Sequence, residues 1–179
     1  LRVPPVVIPQ DKYGAYKDKI YLPLNLRVYP TVPYYHKDEA ALDLLADMLG
    51  RGNNSLLYKN FVKNEKAIGA SASHQSQELI DIFQIEIMAY PPDDLNYENL
   101  FRDLDRDVKA TLDEFEKTGI TDEALARVKA VLESNMYNGL SGVLSKSARI
   151  SEWERLLGKT YTIQADIERY NKVTKEDII

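Results

Sequence analysis

The sequence predicts an α+β domain, in which an antiparallel or mixed sheet carries helices packed on one face. Three observations support this prediction. Residues 82–89 alternate between apolar and polar side chains, as a half-buried strand does. From residue 97 to 118, apolar side chains instead recur at helical spacing. Strand patterns are confined to the first half of the chain, in the order β-α-α-β-β, and only helical patterns follow.

The N-terminal region predicts a linker segment followed by a strand. Residues 1–18 contain several prolines and a glycine, which interrupt regular structure. Residues 19–29 then alternate, and one face of this half-buried strand is formed by Ile20, Leu22, Leu24, Leu26 and Val28. Pro23 indicates an edge strand or a bulge, because proline lacks the N–H that a central strand donates. Pro30 and Pro33 are predicted to end the strand.

Two helices and a closely packed strand are predicted next. The acidic pair Asp38–Glu39 suits the first turn of a helix, whose N-terminus favours negative charge. Gly50 suits the left-handed residue that often closes a helix. Asn54 or Ser55 is a candidate cap for the second helix. Residues 67–76 are small and polar, which predicts a strand crowded against a neighbour.

The second half of the chain predicts a succession of helices. Asn96 is the candidate cap of a long helix that runs to Thr118. A later helix, residues 144–157, carries the single tryptophan, Trp153. The boundaries of these helices are predicted from caps and glycines, which are Gly119, Thr121, Gly139, Gly142, Gly158 and Thr162.

The C-terminal residues have the spacing of a helix start. Thr174 precedes Asp177 by three positions, as in a capping box, and the chain ends at Ile179. We therefore expect residues 19–179 to form a single domain that is cut short at its C-terminus. An incomplete sheet edge would favour self-association of the isolated chain.

Composition excludes several classes of protein. The chain has 179 residues, which suffice for one domain with a full core, a net charge of −5 and no cysteine. Without cysteine there is no disulfide framework, thiolate nucleophile or cysteine-ligated zinc site. Without a basic cluster, nucleic acid is not an expected partner. The longest apolar stretches fall far short of the roughly 20 residues that cross a bilayer.

The sequence predicts neither catalytic nor metal-binding residues. A zinc peptidase needs histidine and carboxylate ligands together, and a further carboxylate as base. The two histidines, His36 and His74, fall on separate predicted elements, and both are expected to be ordinary half-exposed residues. No Gly-x-Ser-x-Gly motif is present. The segment Gly50–Asn54 precedes a helix but lacks the spacing of a phosphate-binding loop.

Several segments match one known family when they are taken in order. They are Tyr29–Gly50, Asn53–Val62, Ala67–Ser73, Glu114–Lys129 and Val173–Ile178. This succession resembles the C-terminal type of domain in the insulinase (pitrilysin) family of zinc peptidases. The resemblance implies the insulinase-like metallohydrolase fold. The zinc motif H-x-x-E-H of that family occurs nowhere in the chain.

The resemblance also implies where the chain sits in a larger protein. In that family, each half-molecule has two domains of this fold, the first domain carries zinc, and two halves enclose a chamber. An arginine and a tyrosine seven positions later anchor the substrate in the last domain. Val62 and Gly69 occupy those positions here. The chain therefore resembles the second domain, which follows the zinc domain, and its substrate-binding residues stay unassigned.

Three functions remain open at this stage. The resemblance favours a non-catalytic, chamber-forming domain of a zinc endopeptidase that degrades peptides or small proteins, in a bacterial periplasm or cell envelope. Its partners would be the zinc-bearing domain of the same polypeptide, a second half-molecule and the peptide substrate. A catalytically inactive relative, such as a core-type subunit of a respiratory complex, is the first alternative. A free-standing protein-interaction module with a tyrosine-rich sheet is the second.

Overall fold

A computed structural model describes residues 8–75, 81–158 and 162–179. Its strands form an antiparallel sheet in the order β1-β3-β2, and they are β1 (Leu24–Thr31), β2 (Ala67–Gln75) and β3 (Asp81–Ala89). The helices are α1 (Glu39–Gly50), α2 (Tyr97–Thr118), α3 (Asp122–Gly139), α4 (Val143–Leu157) and α5 (Ile163–Asn171). A short π-helical turn, Tyr58–Val62, links α1 to β2. The predicted α+β class is confirmed.

The core lies between the inner face of the sheet and the helices α1 and α2. Alternate residues of the central strand β3 point into it, as the sequence predicts, and they are Phe83, Ile85, Ile87 and Ala89. Leu104 and Val108 pack against them from α2, while Leu49 packs from α1. A second apolar cluster joins α1 to α3, α5 and the C-terminal turn. Helix α1 therefore belongs to both clusters and connects the sheet to the helical half.

Ile85 offers a test of the inner face. Its side chain is 1% exposed, so Ile85→Val should remove a buried methyl group and lower the free energy of unfolding by about 0.5–1.5 kcal/mol. Ile68 is 45% exposed on β2, and Ile68→Val should change that free energy by less than about 0.5 kcal/mol. Denaturant titration of both variants makes the comparison. Equal losses would contradict the assignment of this face.

Strand β1 differs from its prediction in which face it buries. The apolar residues Leu24, Leu26 and Val28 are 40%, 51% and 46% exposed. Inward lie Asn25 and Arg27, whose side chains donate to the carboxylate of Asp105 on α2 at 3.2 and 2.7 Å. Apolar alternation alone therefore assigned the wrong face, because a hydrogen-bonded polar cluster holds the opposite face against the helix.

The ends of β1 also differ from the prediction. The strand begins at Leu24, after Pro23, and it continues through Pro30, which lies opposite Ile82 of β3. Pro30 was expected to end the strand. It is tolerated because β1 lies at an edge of the sheet that the described residues form, where a missing N–H breaks no interior ladder. The edge position that Pro23 indicated is confirmed.

Gly50 is required for close packing, and the left-handed conformation predicted for it is wrong. It is the last residue of α1, and the left-handed glycine lies two residues later, at Gly52, with φ of 75°. A Cβ on Gly50 would lie 2.0 Å from the backbone nitrogen of Ala72 on β2. Helix α1 and strand β2 therefore touch backbone to backbone, which explains the small residues of β2.

The helix caps in the second half agree with the sequence. The side chains of Asn96, Thr121 and Thr162 accept hydrogen bonds from backbone N–H groups at 3.1, 3.1 and 3.2 Å. At the C-terminus, the Asp177 carboxylate accepts from the N–H and the hydroxyl of Thr174, at 2.8 and 2.9 Å, and one turn follows. Within the described ranges, no helix is long and apolar enough to span a membrane.

Candidate functional site

In the described part of the chain, His36, Val62 and Gly69 are not surrounded by side chains arranged for binding or catalysis. His36 is half-exposed, as predicted, and its Nδ1 accepts from the Asp38 N–H at 3.3 Å. Val62 ends the π-helical turn, and Gly69 lies on β2 opposite Met88. Neither residue offers a polar side chain to a ligand. Ser55 acts as the predicted cap, because its hydroxyl accepts from the Tyr58 N–H at 3.3 Å.

The side chain of His74 is buried, which contradicts its prediction as a half-exposed residue. The register of β2 places it opposite Phe83, whose side chain points inward, and its own side chain is only 1% exposed. Its Nδ1 lies 2.7 Å from Oδ1 of Asp43, and its Nε2 lies 3.0 Å from the hydroxyl oxygen of Thr31. The carboxylate of Asp81 is 3.8 Å from Nε2. The ring therefore links α1 to both edge strands.

Asp43 extends this chain of polar contacts to α5. Its second oxygen, Oδ2, accepts from the hydroxyl of Tyr170 at 2.6 Å. Burial raises the pKa of Tyr170, and the charge of Asp43 raises it further, so the phenol stays protonated and donates. Thr31, His74, Asp43 and Tyr170 thus form one hydrogen-bonded row that crosses the interior from β1 to α5.

A second buried cluster centres on Arg169 of α5. Its guanidinium donates to Oε2 of Glu39 at 2.7 Å, and the Tyr35 N–H donates to the same oxygen at 2.6 Å. The guanidinium carbon also lies 4.5 Å from the centre of the Tyr35 ring, as in a cation–π contact. Burial raises the pKa of Glu39, and the charge of Arg169 partly offsets that increase. This cluster holds α5 against the start of α1.

Arg149 makes the corresponding contacts for α4, the helix that precedes α5. It donates to the Tyr34 hydroxyl at 2.9 Å, to Glu152 at 2.8 Å and to Asp166 at 2.8 Å. Asp166 is 2% exposed and also lies 3.6 Å from Arg169. The two arginines therefore join α4 and α5 to the Tyr34–Tyr35 turn. The arrangement positions helices, because its charges are paired with one another.

These residues do not fit a zinc ion. Both ring nitrogens of His74 already face protein groups, the Asp43 carboxylate and the Thr31 hydroxyl. Among the described residues, no group of three or more histidine, cysteine or acidic side chains could hold a metal. The donor set that a catalytic zinc requires is therefore not assembled in that part of the chain.

A cleft of about 630 Å³ opens beside this network, between α1, β2 and α3. Its polar walls include Asp43, Asp47, His74 and Asn135, and its apolar walls include Met136. Burial raises the pKa of Asp47, whose carboxylate pairs with Arg51 at 2.9 Å. The histidine and both carboxylates of the cleft already have protein partners.

The sequence analysis did not predict the polar contacts of Glu39, Asp43, Asp166 and Arg169, although two signals in the sequence indicated them. Glu39 and Asp43 lie four positions apart on one face of α1, and the structure places that face inside. Asp166 and Arg169 lie three positions apart on α5 and form a similar polar pair beside buried Ile167. Charged residues are rarely buried without a partner, so a charged residue beside buried apolar residues of the same helix indicates a buried ion pair.

Comparison with known proteins places the chain in a family. The family described as peptidase M16 inactive domain matches residues 3–132, which is more than half of the chain. The chain belongs to this family. The resemblance to insulinase-type domains seen in the sequence is thereby confirmed. No curated protein sequence matches the chain significantly.

Solved structures share the fold of this M16 inactive domain. A protease from Helicobacter pylori has a TM-score of 0.73 and 19% identity, over 90% of this chain and 38% of that one. An inactive peptidase domain from Bordetella parapertussis has a TM-score of 0.74 and 17% identity, over 88% and 82%. A chain of complex III2 from Candida albicans has a TM-score of 0.69 and 12% identity, over 90% and 39%. The chain spans well under half of the Helicobacter and Candida chains.

Proposed function

We propose that the chain is a non-catalytic, chamber-forming domain of an insulinase-like zinc endopeptidase that degrades peptides or small proteins. The observation that supports this most is the match to the M16 inactive domain in a chain without H-x-x-E-H. Zinc would be carried by a preceding domain of the same polypeptide. Residues 19–179 would act as one unit that completes the chamber wall together with a second half-molecule.

The partly buried arginine clusters support a structural role of this kind. A domain that closes a chamber must keep its own layers in fixed positions while a substrate is enclosed. Arg149 and Arg169 connect α4 and α5 to the Tyr34–Tyr35 turn before α1. The hydrogen bond between His74 and Asp43 connects α1 to the sheet. Paired buried charges of this type hold one geometry, because breaking any pair leaves an uncompensated charge.

A catalytically inactive relative is the second candidate. The likeness to a chain of Candida albicans complex III2 favours it, since that chain has the same fold at a TM-score of 0.69. Both candidates use this domain without catalysis, so they differ only in whether the whole polypeptide hydrolyses peptides.

Measuring zinc and peptidase activity tests the proposal. The isolated chain should retain no stoichiometric zinc after dialysis and should not cleave a quenched fluorescent peptide, because its histidines are separated and His74 is held by Asp43 and Thr31. The complete natural polypeptide should cleave the peptide in a reaction that a chelator stops. Stoichiometric zinc on the isolated chain would contradict the proposal. A complete polypeptide without zinc and activity would favour the inactive relative.

A further inference from the structure

The outer face of the sheet is partly apolar and faces solvent. The strand pairing defines it as successive rows across β1, β3 and β2. The rows are Leu24–Met88–Gly69, Leu26–Glu86–Ser71, Val28–Gln84–Ser73 and Pro30–Ile82–Gln75. We call these residues the outer face. Its β1 side is apolar, and its β2 side carries small or polar residues.

The exposure of this face is built into the fold. A shift of β1 by one residue would bury Leu24, Leu26 and Val28, since successive side chains of a strand point to opposite faces. That shift would also expose Arg27, which donates to the carboxylate and the backbone oxygen of Asp105 at 2.7 and 2.9 Å. The polar cluster on α2 thereby fixes the register, and it leaves three large apolar side chains outside.

Glu86 is the single charged residue of the outer face. It lies on the central strand, between Leu26 on one side and Ser71 on the other, and it is half-buried. Its backbone is part of the sheet, but its carboxylate has no hydrogen bond or ion pair with any residue that the structure describes. A half-buried carboxylate beside an apolar ridge gains free energy from a positively charged partner. A partner that covers the centre of the outer face should therefore carry a positive charge next to Glu86.

The size and charge of the outer face select among possible occupants. Strand spacing and rise give it dimensions of about 10 by 20 Å, or roughly 200 Å². A stable protein interface covers about 800 Å² on each partner. A symmetric pairing of two copies would also bring two Glu86 carboxylates together, which is unfavourable. An extended peptide of about six residues spans some 20 Å and matches the longer dimension.

We infer that the outer face binds short extended peptide segments in which a basic side chain stands between apolar ones. The apolar side chains contact Leu24, Leu26 and Val28, and the basic side chain pairs with Glu86. The inference stands on this face alone. It can fail while the peptidase assignment holds, and it can hold if the parent protein has no peptidase activity.

Binding of matched peptides to the 179-residue chain tests the inference. The probe is a fluorescein-labelled hexapeptide of leucine and valine with one central lysine, and its partner has glutamate in place of the lysine. Fluorescence anisotropy at low salt should show saturable binding of the lysine peptide, with the glutamate peptide weaker by about tenfold. Glu86→Lys should reverse that preference, and Leu26→Ser should weaken binding of both peptides.

A matched control lies on another apolar surface. Leu144 on α4 is 84% exposed and lies outside the sheet, so Leu144→Ser should leave peptide binding unchanged. Circular dichroism confirms that each variant is folded, and Glu86→Lys gives an independent result if Leu26→Ser is unfolded. Equal affinity for both peptides, absence of saturable binding, or equal loss in Leu144→Ser would overturn the inference. A dimer in sedimentation that Leu26→Ser dissociates would identify a second copy as the occupant instead.

Discussion

Replacing Arg169 with methionine is expected to lower the free energy of unfolding by about 3–5 kcal/mol, the usual loss when one partner of a buried ion pair is removed. Arg169 donates to Glu39, which is 2% exposed, and lies beside Asp166, which is equally buried. Methionine keeps much of the apolar stem but leaves both carboxylates without this guanidinium. Urea denaturation of the variant and the wild type measures the loss.

The surface pair between Arg102 and Glu98 provides the control. Their charged atoms are 2.9 Å apart, close to the Arg169–Glu39 distance, but both side chains are largely exposed. Arg102→Met should therefore change the free energy of unfolding by less than about 1 kcal/mol. If both methionine variants lost the same amount, burial would not be the reason for the stability of the Arg169 cluster.

The pH dependence of the Arg169 variant follows from the pKa of Glu39. Burial raises that pKa, and removing Arg169 takes away the charge that lowers it. A carboxyl group with a folded-state pKa above its unfolded value stabilises the fold below the unfolded pKa, and this stabilisation is lost as pH rises through the folded pKa. The deficit of Arg169→Met relative to wild type should thus be largest at neutral pH. This deficit should shrink as the pH is lowered towards the ordinary pKa range of a glutamate side chain.

Elements whose local pattern agrees with their packing could be predicted from the sequence. Strand β3 and helix α2 bury the faces that their periodicity predicts, and Asn96, Thr121 and Thr162 cap the predicted helices. These signals are local, because a side chain three residues away satisfies each helix start. No knowledge of distant contacts is needed to read them.

Features that depend on distant partners could not be predicted in this way. The inner face of β1 is set by Asp105, which follows Arg27 by 78 positions. The burial of His74 depends on Asp43, which lies 31 positions before it. In both cases a polar residue is inside because a specific partner satisfies it there. A general preference of polar residues for the surface gave the wrong result for both.

The family and the candidate site were predictable to different extents. The order of motifs from Tyr29 to Ile178 identified the family, which the match to the M16 inactive domain confirms. The same motifs did not predict the clusters around Arg149 and Arg169, because each cluster joins residues from separate segments of the chain. Arg149 reaches Tyr34 across 115 positions, and Arg169 reaches Glu39 across 130. Such pairings appear only once the helices are placed in space.

Replacing Gly50 with alanine should strongly destabilise the fold. Alanine normally stabilises a helix relative to glycine by about 1 kcal/mol. At Gly50, however, the new Cβ would lie 2.0 Å from the backbone nitrogen of Ala72 and 2.8 Å from its Cα. Backbone atoms cannot rotate away as a side chain does, so α1 and β2 must separate. We expect a loss of about 3–5 kcal/mol, at or above the upper end for overpacking.

Gly139 is the matched control for Gly50, because it is also the last residue of a helix, α3, and a Cβ added to it would meet no described atom within 4 Å. Gly139→Ala should therefore be neutral or stabilise the protein by up to about 1 kcal/mol. In thermal denaturation, Gly50→Ala should lower the melting temperature strongly. Gly139→Ala should leave the melting temperature unchanged or raise it slightly. A neutral Gly50→Ala would mean that α1 does not contact β2 backbone to backbone. The small residues of β2 would then need a different explanation.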